Sequence, residues 1–366
     1  MTQPQKDAPI LVTGGAGHVG ANIVHKLVEE GKSVRVLLRQ GENNEAVDSL
    51  PVERAYGDLR DPATLAPAIK GVRDIIHVAS MVSTIDGDAA HRRTIYETNV
   101  VGTRHLLRVA RENDVRRTIV TGSFSAVGYD LDQTDLPADE TMGFYPYHRA
   151  MPYERSKVLQ EHEVLKAVAE GQDALIVTSC AVVGGHDYLP SRMGRTLCRF
   201  ANGELNAYVN GGFEFVAAKD LVQGHLLALE KGRSGQKYII ATKFMTLDDI
   251  FAIFEKITGQ PRPRFRVPNQ LMLPIAEATS FFMTRFRPKA PQLLTPGAIR
   301  RLSLMRHADT SKAKNELGFV PTSIENAFAD AYAFHWARGG ITNDSARAPQ
   351  PAASTVASVP HVTIHA

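Results

Sequence analysis

The amino-acid sequence predicts an α/β fold with a doubly wound parallel sheet and a smaller carboxy-terminal region. The first observation is an alternation, from Pro9 onward, of continuous apolar runs with segments of helical periodicity. The runs PILVTG and SVRVLLR, for example, are separated by HVGANIVHKLVEEGK. Strands that are apolar on both faces are typical of a parallel sheet covered by helices on both sides. The second observation is a glycine-rich turn directly after the first strand.

Later segments continue this alternation as far as about Gly185. Strands are predicted at AYGDL, DIIHVAS, RTIVTGS and ALIVTSCAVVG, and helices at DPATLAPAIKG, TIYETNVVGTRHLLRVAREN and MPYERSKVLQEHEVL. Beyond Gly185 the pattern is less regular. A strand followed by a helix is still predicted in FVAAKDLVQGHLLALEKG and in QKYIIATKFMTLDDIFAIFEKITG.

Composition excludes several classes of protein. The formal charge of +3 over 366 residues is small, and the basic residues are interspersed with apolar ones, which argues against a nucleic-acid surface. Cys180 and Cys198 show no metal-ligand spacing, so we predict no metal site and a reduced, cytoplasmic chain. The amino terminus lacks the apolar run of a signal peptide, and no stretch is long enough for a membrane span. Residues 271–286, interrupted by Pro274, are predicted to form a lid or core helix, with peripheral membrane contact as the alternative.

The turn VTGGAGHVG predicts a dinucleotide site. Glycines at this spacing allow a tight turn, close approach of the backbone to a pyrophosphate, and tight packing of helix against strand. The phosphates would lie at a helix N-terminus, where free N–H groups and the helix dipole favour negative charge. A purely structural turn is the alternative, but this turn lies between a clear strand and a clear helix. The predicted contacts come from Thr13, Gly14, Gly17, His18, Val19 and Gly20.

The end of the second strand favours NADP(H) over NAD(H). An NAD site usually has a carboxylate there to bind the ribose hydroxyl, whereas an NADP site often has an arginine facing the 2′-phosphate. Here the strand ends at Arg39, and the first acidic residue is Glu42. Further cofactor contacts are predicted at the ends of the next two strands, from Asp58 and Leu59 and from Ala79 and Ser80.

Tyr153 and Lys157 form a candidate catalytic pair, because residues four apart share one face of a helix. Hydride transfer to a carbonyl leaves an alkoxide that needs a proton, and a tyrosine hydroxyl can supply it. The unperturbed pKa of tyrosine, about 10, is too high for a base at neutral pH, and a nearby ammonium would lower it. Ser123, at the end of a predicted strand, could bind the same substrate oxygen. The spacing therefore predicts a Ser-Tyr-Lys proton-transfer site.

In order along the chain, TGxxGxxG, GDLRD, HVAS, NVVGT, VTGS and PYERSK resemble the motifs of an extended short-chain dehydrogenase/reductase, of the NAD-dependent epimerase/dehydratase superfamily. The resemblance spans about Pro9 to Gly340 and implies a Rossmann fold. It implies that Ser123 binds substrate, Tyr153 is the acid/base, Lys157 binds the nicotinamide ribose and tunes Tyr153, and Asn99 supports Lys157. An Asn that only bonds its own helical turn is the alternative for Asn99.

The expected organisation follows from the patterns and the resemblance together. It comprises a flexible amino terminus (1–8), a Rossmann NADP-binding core (9–185), a mainly substrate-binding region (186–340) and a disordered tail (341–366) rich in Ala, Pro, Ser and Thr. Elements of the core are expected to return at about 213–242. A homodimer is possible, since members of this superfamily often pair through helices, including the one that would carry Tyr153.

Within the superfamily, the chain is similar to dihydroflavonol-4-reductase-like proteins and hydroxysteroid dehydrogenases. Its AVVGG resembles their VVGP turn, which implies cofactor contacts from Cys180 and Val182. Sugar epimerases typically have an arginine where this chain has Phe213. The aromatic run before Tyr153, with Phe144, Tyr145, Tyr147 and His148, could line an apolar substrate cleft.

These observations predict an NADP(H)-dependent oxidoreductase that reduces a ketone or aldehyde, or oxidises a secondary alcohol, on an apolar or ring substrate. The expected partner is this small molecule, with no nucleic acid and no integral membrane segment. One alternative is a nucleotide-sugar epimerase or dehydratase with tightly bound NAD(P). A second is a non-catalytic NADP(H)-sensing protein, although such proteins generally lack the Tyr/Lys pair.

Overall fold

The computed structural model describes residues 8–129, 136–144, 147, 150–286 and 295–350. Its centre is a seven-stranded sheet in which every neighbouring pair of strands is parallel. In chain order the strands are β1 (Ile10–Thr13), β2 (Val34–Leu38), β3 (Glu53–Tyr56), β4 (Asp74–His77), β5 (Arg117–Ser123), β6 (Ala174–Ser179) and, after three further strands outside this sheet, β10 (Lys237–Ile240). The predicted α/β fold with a doubly wound parallel sheet is confirmed.

The order of these strands defines where a ligand can bind. It runs β10-β6-β5-β4-β1-β2-β3, so the chain leaves β1 towards β2 on one side and returns to β4 on the other. Loops that leave neighbouring strands on opposite faces open a crevice at the carboxyl ends of those strands. The crevice here lies at Thr13 and His77, the last residues of β1 and β4.

Helices cover both faces of this sheet. They are α1 (His18–Glu29), α2 (Glu45–Asp48), α3 (Pro62–Ile69), α4 (Ala89–Tyr96), α5 (Gly102–Glu112), α6 (Pro152–Ala169) and α8 (Ala218–Lys231). A π-helical turn, Glu97–Val101, joins α4 to α5, where the sequence pattern predicts one continuous helix. The buried core on one face includes Ile23, Val36 and Leu221, and the core on the other includes Leu65, Ile75 and Leu106.

A second group of elements packs beside the carboxyl ends of the strands. Its strands are β7 (Ala181–Val183), β8 (Ala207–Val209), β9 (Gly212–Ala217), β11 (Lys243–Thr246) and β12 (Phe265–Val267). Its helices are α7 (Arg192–Ala201), α9 (Leu247–Thr258), α10 (Asn269–Phe286), α11 (Pro296–Ser303) and α12 (Ile324–Ala337). Phe215, Phe254 and Phe328 form the centre of its separate aromatic core.

Two boundaries differ in detail from the sequence pattern. Within 213–242, α8 and β10 rejoin the large sheet, whereas β9 pairs with β7 and β11 in a small sheet. Residues 341–350, which the composition assigns to a disordered tail, pack against the second group of elements. Tyr332 donates a hydrogen bond to the carbonyl of Arg347 (2.7 Å), and the Arg347 N–H donates to the carbonyl of Thr258 (2.7 Å). Predicted disorder therefore does not describe this segment.

Within the described part of the chain, no helix is both long enough and apolar enough to cross a membrane.

Candidate active site

Two positions of the glycine turn after β1, Gly14 and Gly20, have no room for a side chain. Gly14 has φ +72°, and a Cβ there would lie 2.8 Å from the backbone of Ala79 at the end of β4. A Cβ on Gly20 would lie 2.1 Å from the carbonyl oxygen of Gly14. The turn closes through a hydrogen bond from the Gly17 N–H to that same carbonyl (3.0 Å). The motif therefore brings α1 directly against the ends of both β1 and β4.

The N-terminus of α1 has the features of an anion site. Its N-cap is Gly17, so no side chain caps the first N–H groups, and the first turn has no acidic residue. His18 and Asn22 are turned away from the turn and hydrogen-bond the carbonyl of Gly185 (3.1 and 2.9 Å). Uncapped N–H groups and the helix dipole favour a phosphate at this position. The close-packed glycines and this helix end therefore fit a dinucleotide.

Thr13 joins the ends of β1 and β4. Its buried hydroxyl lies 2.7 Å from Nδ1 of His77 and accepts hydrogen bonds from the N–H groups of Val78 and Ala79 (both 3.2 Å). Burial lowers the pKa of His77 to about 3, so the imidazole is neutral. The Thr13 side chain, which the sequence assigns to the cofactor, thus holds the crevice together from beneath.

The ends of β2 and β3 place two predicted cofactor residues at one edge. Arg39 is 61% exposed at its side chain and lies 3.2 Å from the carboxylate of Glu42. Asp58 binds Arg60, whose Nε donates to its carboxylate at 3.0 Å. Arg60 holds the pKa of Asp58 below its usual value, and the charge of Arg39 contributes. Leu59, by contrast, is buried.

Tyr153 and Ser123 meet at the wall of a cleft. Ser123 ends β5, and Tyr153 occupies the first turn of α6, which starts with Pro152 and a hydrogen bond from the Met151 N–H to Glu154 (2.7 Å). Tyr153 is 8% exposed and is hydrogen-bonded to Ser123. Burial raises the pKa of Tyr153, while Ser123 and the charge of Arg301 oppose that rise. The two hydroxyls therefore lie together, and the prediction that both bind one substrate oxygen stays a prediction.

Lys157 turns towards the sheet in this structure. The buried Lys157 ammonium donates to the carbonyl of Thr121 (2.8 Å) and to the side chain of Gln160. The groups that shift the pKa of Tyr153 do not include Lys157, and the net shift is upward. A side chain one turn along a helix can turn towards the sheet as well as along the helix, so the tuning of Tyr153 by Lys157 stays a prediction. Burial lowers the pKa of Lys157 itself to about 8.

Gln160 connects Lys157 to the crevice. Its amide donates to the hydroxyl of Thr103 (2.8 Å), and that hydroxyl lies 2.9 Å from Nε2 of His77. Lys157, Gln160, Thr103 and His77 are each at most 2% exposed. A continuous buried chain of hydrogen bonds therefore runs from Lys157 to Thr13. Sequence reasoning missed it, although Gln160 follows Lys157 on the same helix.

Asn99 fixes the loop after β4. It lies in the π-helical turn, and its Oδ1 accepts hydrogen bonds from the Met81 N–H (2.7 Å) and the Ser80 hydroxyl (3.1 Å). Its Nδ2 donates to the hydroxyl of Ser156 (2.9 Å) and to the carbonyl of Met81. Asn99 therefore touches α6 beside Lys157 and also holds Ser80. Its side chain does more than bond its own helical turn.

A cleft of about 280 Å³ opens in front of Ser123 and Tyr153. Phe124, Phe144, Phe213 and Cys180 contribute to its wall, and burial raises the pKa of the Cys180 thiol. Val182 packs against the core of the large sheet. Tyr147, 43% exposed, contacts the edge of Phe144, whereas Tyr145 and His148 lie outside the described residues.

The sequence patterns did not predict three ionisable side chains that line this cleft. Arg301 pairs with Glu154 (2.6 Å), and Arg306 donates to the carbonyls of Val127 (3.0 Å) and Gly128 (2.7 Å). The third, Glu214, is 8% exposed and accepts from the Ala308 N–H (3.0 Å). These residues reach the cleft from β9 and from the segment that follows α10, so local patterns around Tyr153 could not reveal them. The second group of elements thus supplies polar as well as apolar lining.

Comparisons with known proteins agree with this geometry. Residues 10–241 match the model of the NAD dependent epimerase/dehydratase family. The chain is 41% identical over 331 residues to sterol demethylase protein B of Methylococcus capsulatus, covering 90% of this chain and 99% of that protein. It is 28% identical to 3beta-hydroxysteroid-dehydrogenase/decarboxylase isoform 1 of Arabidopsis thaliana, covering 85% and 75%.

A solved structure shows the same fold over nearly the whole chain. The crystal structure of gox2253 aligns with a TM-score of 0.79 at 33% identity and covers 92% of this chain and 100% of that one. The predicted family resemblance and its hydroxysteroid-dehydrogenase-like branch are confirmed. Nicotinamide dependence is a property of this family. The chain belongs to the NAD-dependent epimerase/dehydratase family, as an enzyme of the extended short-chain dehydrogenase/reductase type.

Proposed function

We propose that this enzyme is an NADP(H)-dependent oxidoreductase that oxidises a ring hydroxyl, or reduces the matching ketone, of a sterol-like substrate. The observation on which this rests is the hydrogen-bonded pair Tyr153 and Ser123 at the wall of a mainly apolar cleft. The names of two relatives, one a sterol demethylase protein and one a hydroxysteroid dehydrogenase/decarboxylase, support a fused-ring substrate.

The residues that would hold the dinucleotide are those of the glycine turn, the N-terminus of α1 and the strand ends at Arg39 and Asp58. The bound nicotinamide would supply or accept the hydride. Arg39 favours NADP(H), because a guanidinium can bind a 2′-phosphate through charge-assisted hydrogen bonds. The acidic residue nearest in sequence, Glu42, pairs with Arg39 at an exposed position. A 2′-phosphate could therefore replace Glu42 on the guanidinium of Arg39.

Tyr153 would exchange a proton with the reacting substrate oxygen, and Ser123 would orient that oxygen. The Ser123 hydroxyl lies 2.8 Å from that of Ser125, so it stays oriented when its partner changes. Lys157, fixed by the Thr121 carbonyl and Gln160, would contribute a buried positive charge one helical turn from Tyr153. Asn99 keeps α6 and the loop containing Ser80 in register.

A sugar epimerase with tightly bound cofactor is the second candidate, because the family is described by its epimerases and dehydratases. A nucleotide diphosphate would require cations in the cleft. Arg301 and Arg306 are there, but Arg301 is paired with Glu154 and Arg306 with two carbonyls. Phe213 adds an aromatic ring to the same wall. These contacts favour the apolar substrate.

The decisive experiment incubates the purified chain with NADP⁺ or NAD⁺ and a panel of 3β-hydroxysteroids, with and without a carboxylate next to the hydroxyl. The expected result is stoichiometric formation of reduced nicotinamide, faster with NADP⁺. UDP-sugars serve as the comparison. Interconversion of sugars without net cofactor turnover, and no oxidation of any steroid, would establish the epimerase instead.

Replacing Arg39 by Ala is expected to raise KM for NADP⁺ by about tenfold, since a charge-assisted hydrogen bond contributes about 1.5–3 kcal/mol and this site is exposed. KM for NAD⁺ should change by less than about twofold on the same principle, because NAD⁺ has no 2′-phosphate. Initial-rate kinetics with both cofactors measure the effect. Lys26→Ala, an exposed ion-paired cation on α1, is the control. Equal changes for both cofactors would contradict the assignment of Arg39.

A further inference from the structure

Helix α10 presents a long apolar stripe to solvent. Four large side chains recur at intervals of four, seven and four residues, which places them on one face of a helix. These four are Leu271 (64% exposed), Ile275 (55%), Phe282 (60%) and Phe286 (68%). Phe281 (69%) lies beside them. Ala276, on the opposite side, is 2% exposed and packs inward. Contiguous apolar surface of this kind marks an interaction site.

The same stripe corrects a sequence prediction. Residues 271–286 were expected to form a lid or core helix that closes the substrate pocket. The described lining of the cleft includes no residue of α10, and the Phe residues face away from the core. The alternative, peripheral membrane contact, fits this exposure. Pro274 and Glu277 do not break the helix, which runs through both.

Basic residues precede and follow this helix in the sequence, although Arg262 and Arg266 are paired with Glu255 (2.8 Å) and Asp248 (3.0 Å). Residues 261–290 contain six basic side chains (Arg262, Arg264, Arg266, Arg285, Arg287 and Lys289) and one acidic side chain, Glu277. Glu277 is bound to Arg300 of α11 (2.7 Å), so its charge is neutralised within the protein. The guanidinium of Arg285 lies over the ring of Phe286, 5.6 Å from its centroid. A cation therefore lies at the aromatic end of the helix, and Arg287 and Lys289 follow it in the sequence.

We propose that α10 lies in the interfacial plane of an anionic phospholipid bilayer. Phe281, Phe282 and Phe286 would enter the boundary between headgroups and acyl chains, while the flanking arginines bind lipid phosphates. An amphipathic helix with aromatic residues on one face and basic residues around it has the composition of such interfacial helices. A helix of this kind lies on the bilayer and does not span it.

Charge argues for lipid against a second copy of the chain. In a two-fold symmetric pair, the same surface of each copy faces the other. Pairing through α10 would therefore bring the basic residues at its carboxyl end, Arg285, Arg287 and Lys289, towards their copies, and like charges repel. An anionic lipid surface covers the apolar stripe and neutralises the arginines at once.

The helix is also connected to the active site by a single element. Arg300 of α11 binds Glu277 of α10, and the next residue, Arg301, lines the cleft and binds Glu154. A bilayer-bound α10 would thus lie one short helix away from the cleft. The proposal itself rests on α10 alone and does not depend on the substrate proposed above.

The test is sedimentation of the full chain with vesicles of phosphatidylcholine alone or of phosphatidylcholine with phosphatidylglycerol. We expect binding to the anionic vesicles, weakened by high salt, because surface charges are screened. The combined variant Phe281→Ser, Phe282→Ser, Phe286→Ser should bind at least about tenfold more weakly, since its apolar contribution is lost. Thermal unfolding of this variant should match that of the unaltered chain, because the three rings are exposed.

The matched control is Leu189→Ser combined with Val320→Ser, which removes exposed apolar side chains (48% and 66%) far from α10 in sequence. This variant should bind vesicles as the unaltered chain does. Equal binding by the phenylalanine variant, or no binding by the unaltered chain, would overturn the proposal. So would light scattering that shows a dimer made monomeric by the phenylalanine changes, without vesicle binding. Enzyme activity plays no part in these outcomes, so they are independent of the proposed function.

Discussion

Replacement of Tyr153 by Phe is expected to lower kcat by about 10²–10⁴-fold, the usual contribution of a positioned general acid or base. The ring is 8% exposed, so Phe keeps its packing, and the change removes only the hydroxyl that meets Ser123. Ser123 retains Ser125 as a partner, which limits any loss of stability. Steady-state oxidation of the best hydroxysteroid, with cofactor affinity measured separately, tests this prediction.

The matched control for Tyr153 is Tyr147→Phe. Tyr147 is 43% exposed beside the cleft and touches Phe144, so it shares the neighbourhood without meeting Ser123. We expect its kcat to stay within about twofold of the unaltered enzyme, as for other surface substitutions. A Tyr153→Phe enzyme with normal kcat would rule out the proton-transfer role and leave Ser123 without a catalytic partner.

Replacement of Glu214 by Gln is expected to stabilise the fold at alkaline pH. Burial raises the pKa of Glu214 to about 7 from its usual value of 4.5, with the Ala308 N–H opposing the rise. Below pH 4.5 the group is neutral whether the chain is folded or unfolded. Between these two values Glu214 ionises in the unfolded chain but stays neutral in the folded one, so the free energy of unfolding falls as pH rises. Above pH 7 the buried charge costs the folded state about 3 kcal/mol.

Gln is neutral at every pH, has nearly the same shape and can still accept from Ala308. The gain in the free energy of unfolding over the unaltered chain should therefore increase by about 2–3 kcal/mol between pH 5 and pH 8. Denaturant unfolding at several pH values measures it. Glu230→Gln, at an exposed position on α8, should show no such dependence. A gain that is the same at pH 5 and pH 8 would contradict the raised pKa.

The parts of the fold and site that the sequence predicts are those governed by local rules. Gly20 is required by the carbonyl of Gly14, six residues earlier, so the glycine spacing is a dependable signal. Tyr153 follows from helix periodicity and from its place after a strand ending in Ser123. The parallel sheet follows from apolar strands separated by helices.

The parts that the sequence could not predict depend on non-local contacts. Lys157 is held by a backbone carbonyl of β5, and any residue at position 121 offers one. Glu214 and Arg301 reach the cleft from distant segments, so their distance from Tyr153 along the chain hides the contact. The orientation of α10 was also hidden, since the same apolar residues could face a core or a membrane. Which face is covered depends on the elements packed around it.

The π-helical turn that contains Asn99 limits which insertions and deletions the chain can accept. A π turn has one residue more than an α-helical turn, and such turns occur frequently at functional sites. Deleting one residue from Glu97–Val101 would restore regular α-helical bonding but rotate α4 by about 100° relative to α5. Asn99 would then lose its hydrogen bonds to both Met81 and Ser156. The number of residues between α4 and α5 is thus fixed by the Asn99 amide, which joins the loop after β4 to α6. Homologues that lose a residue here must hold α6 by another contact.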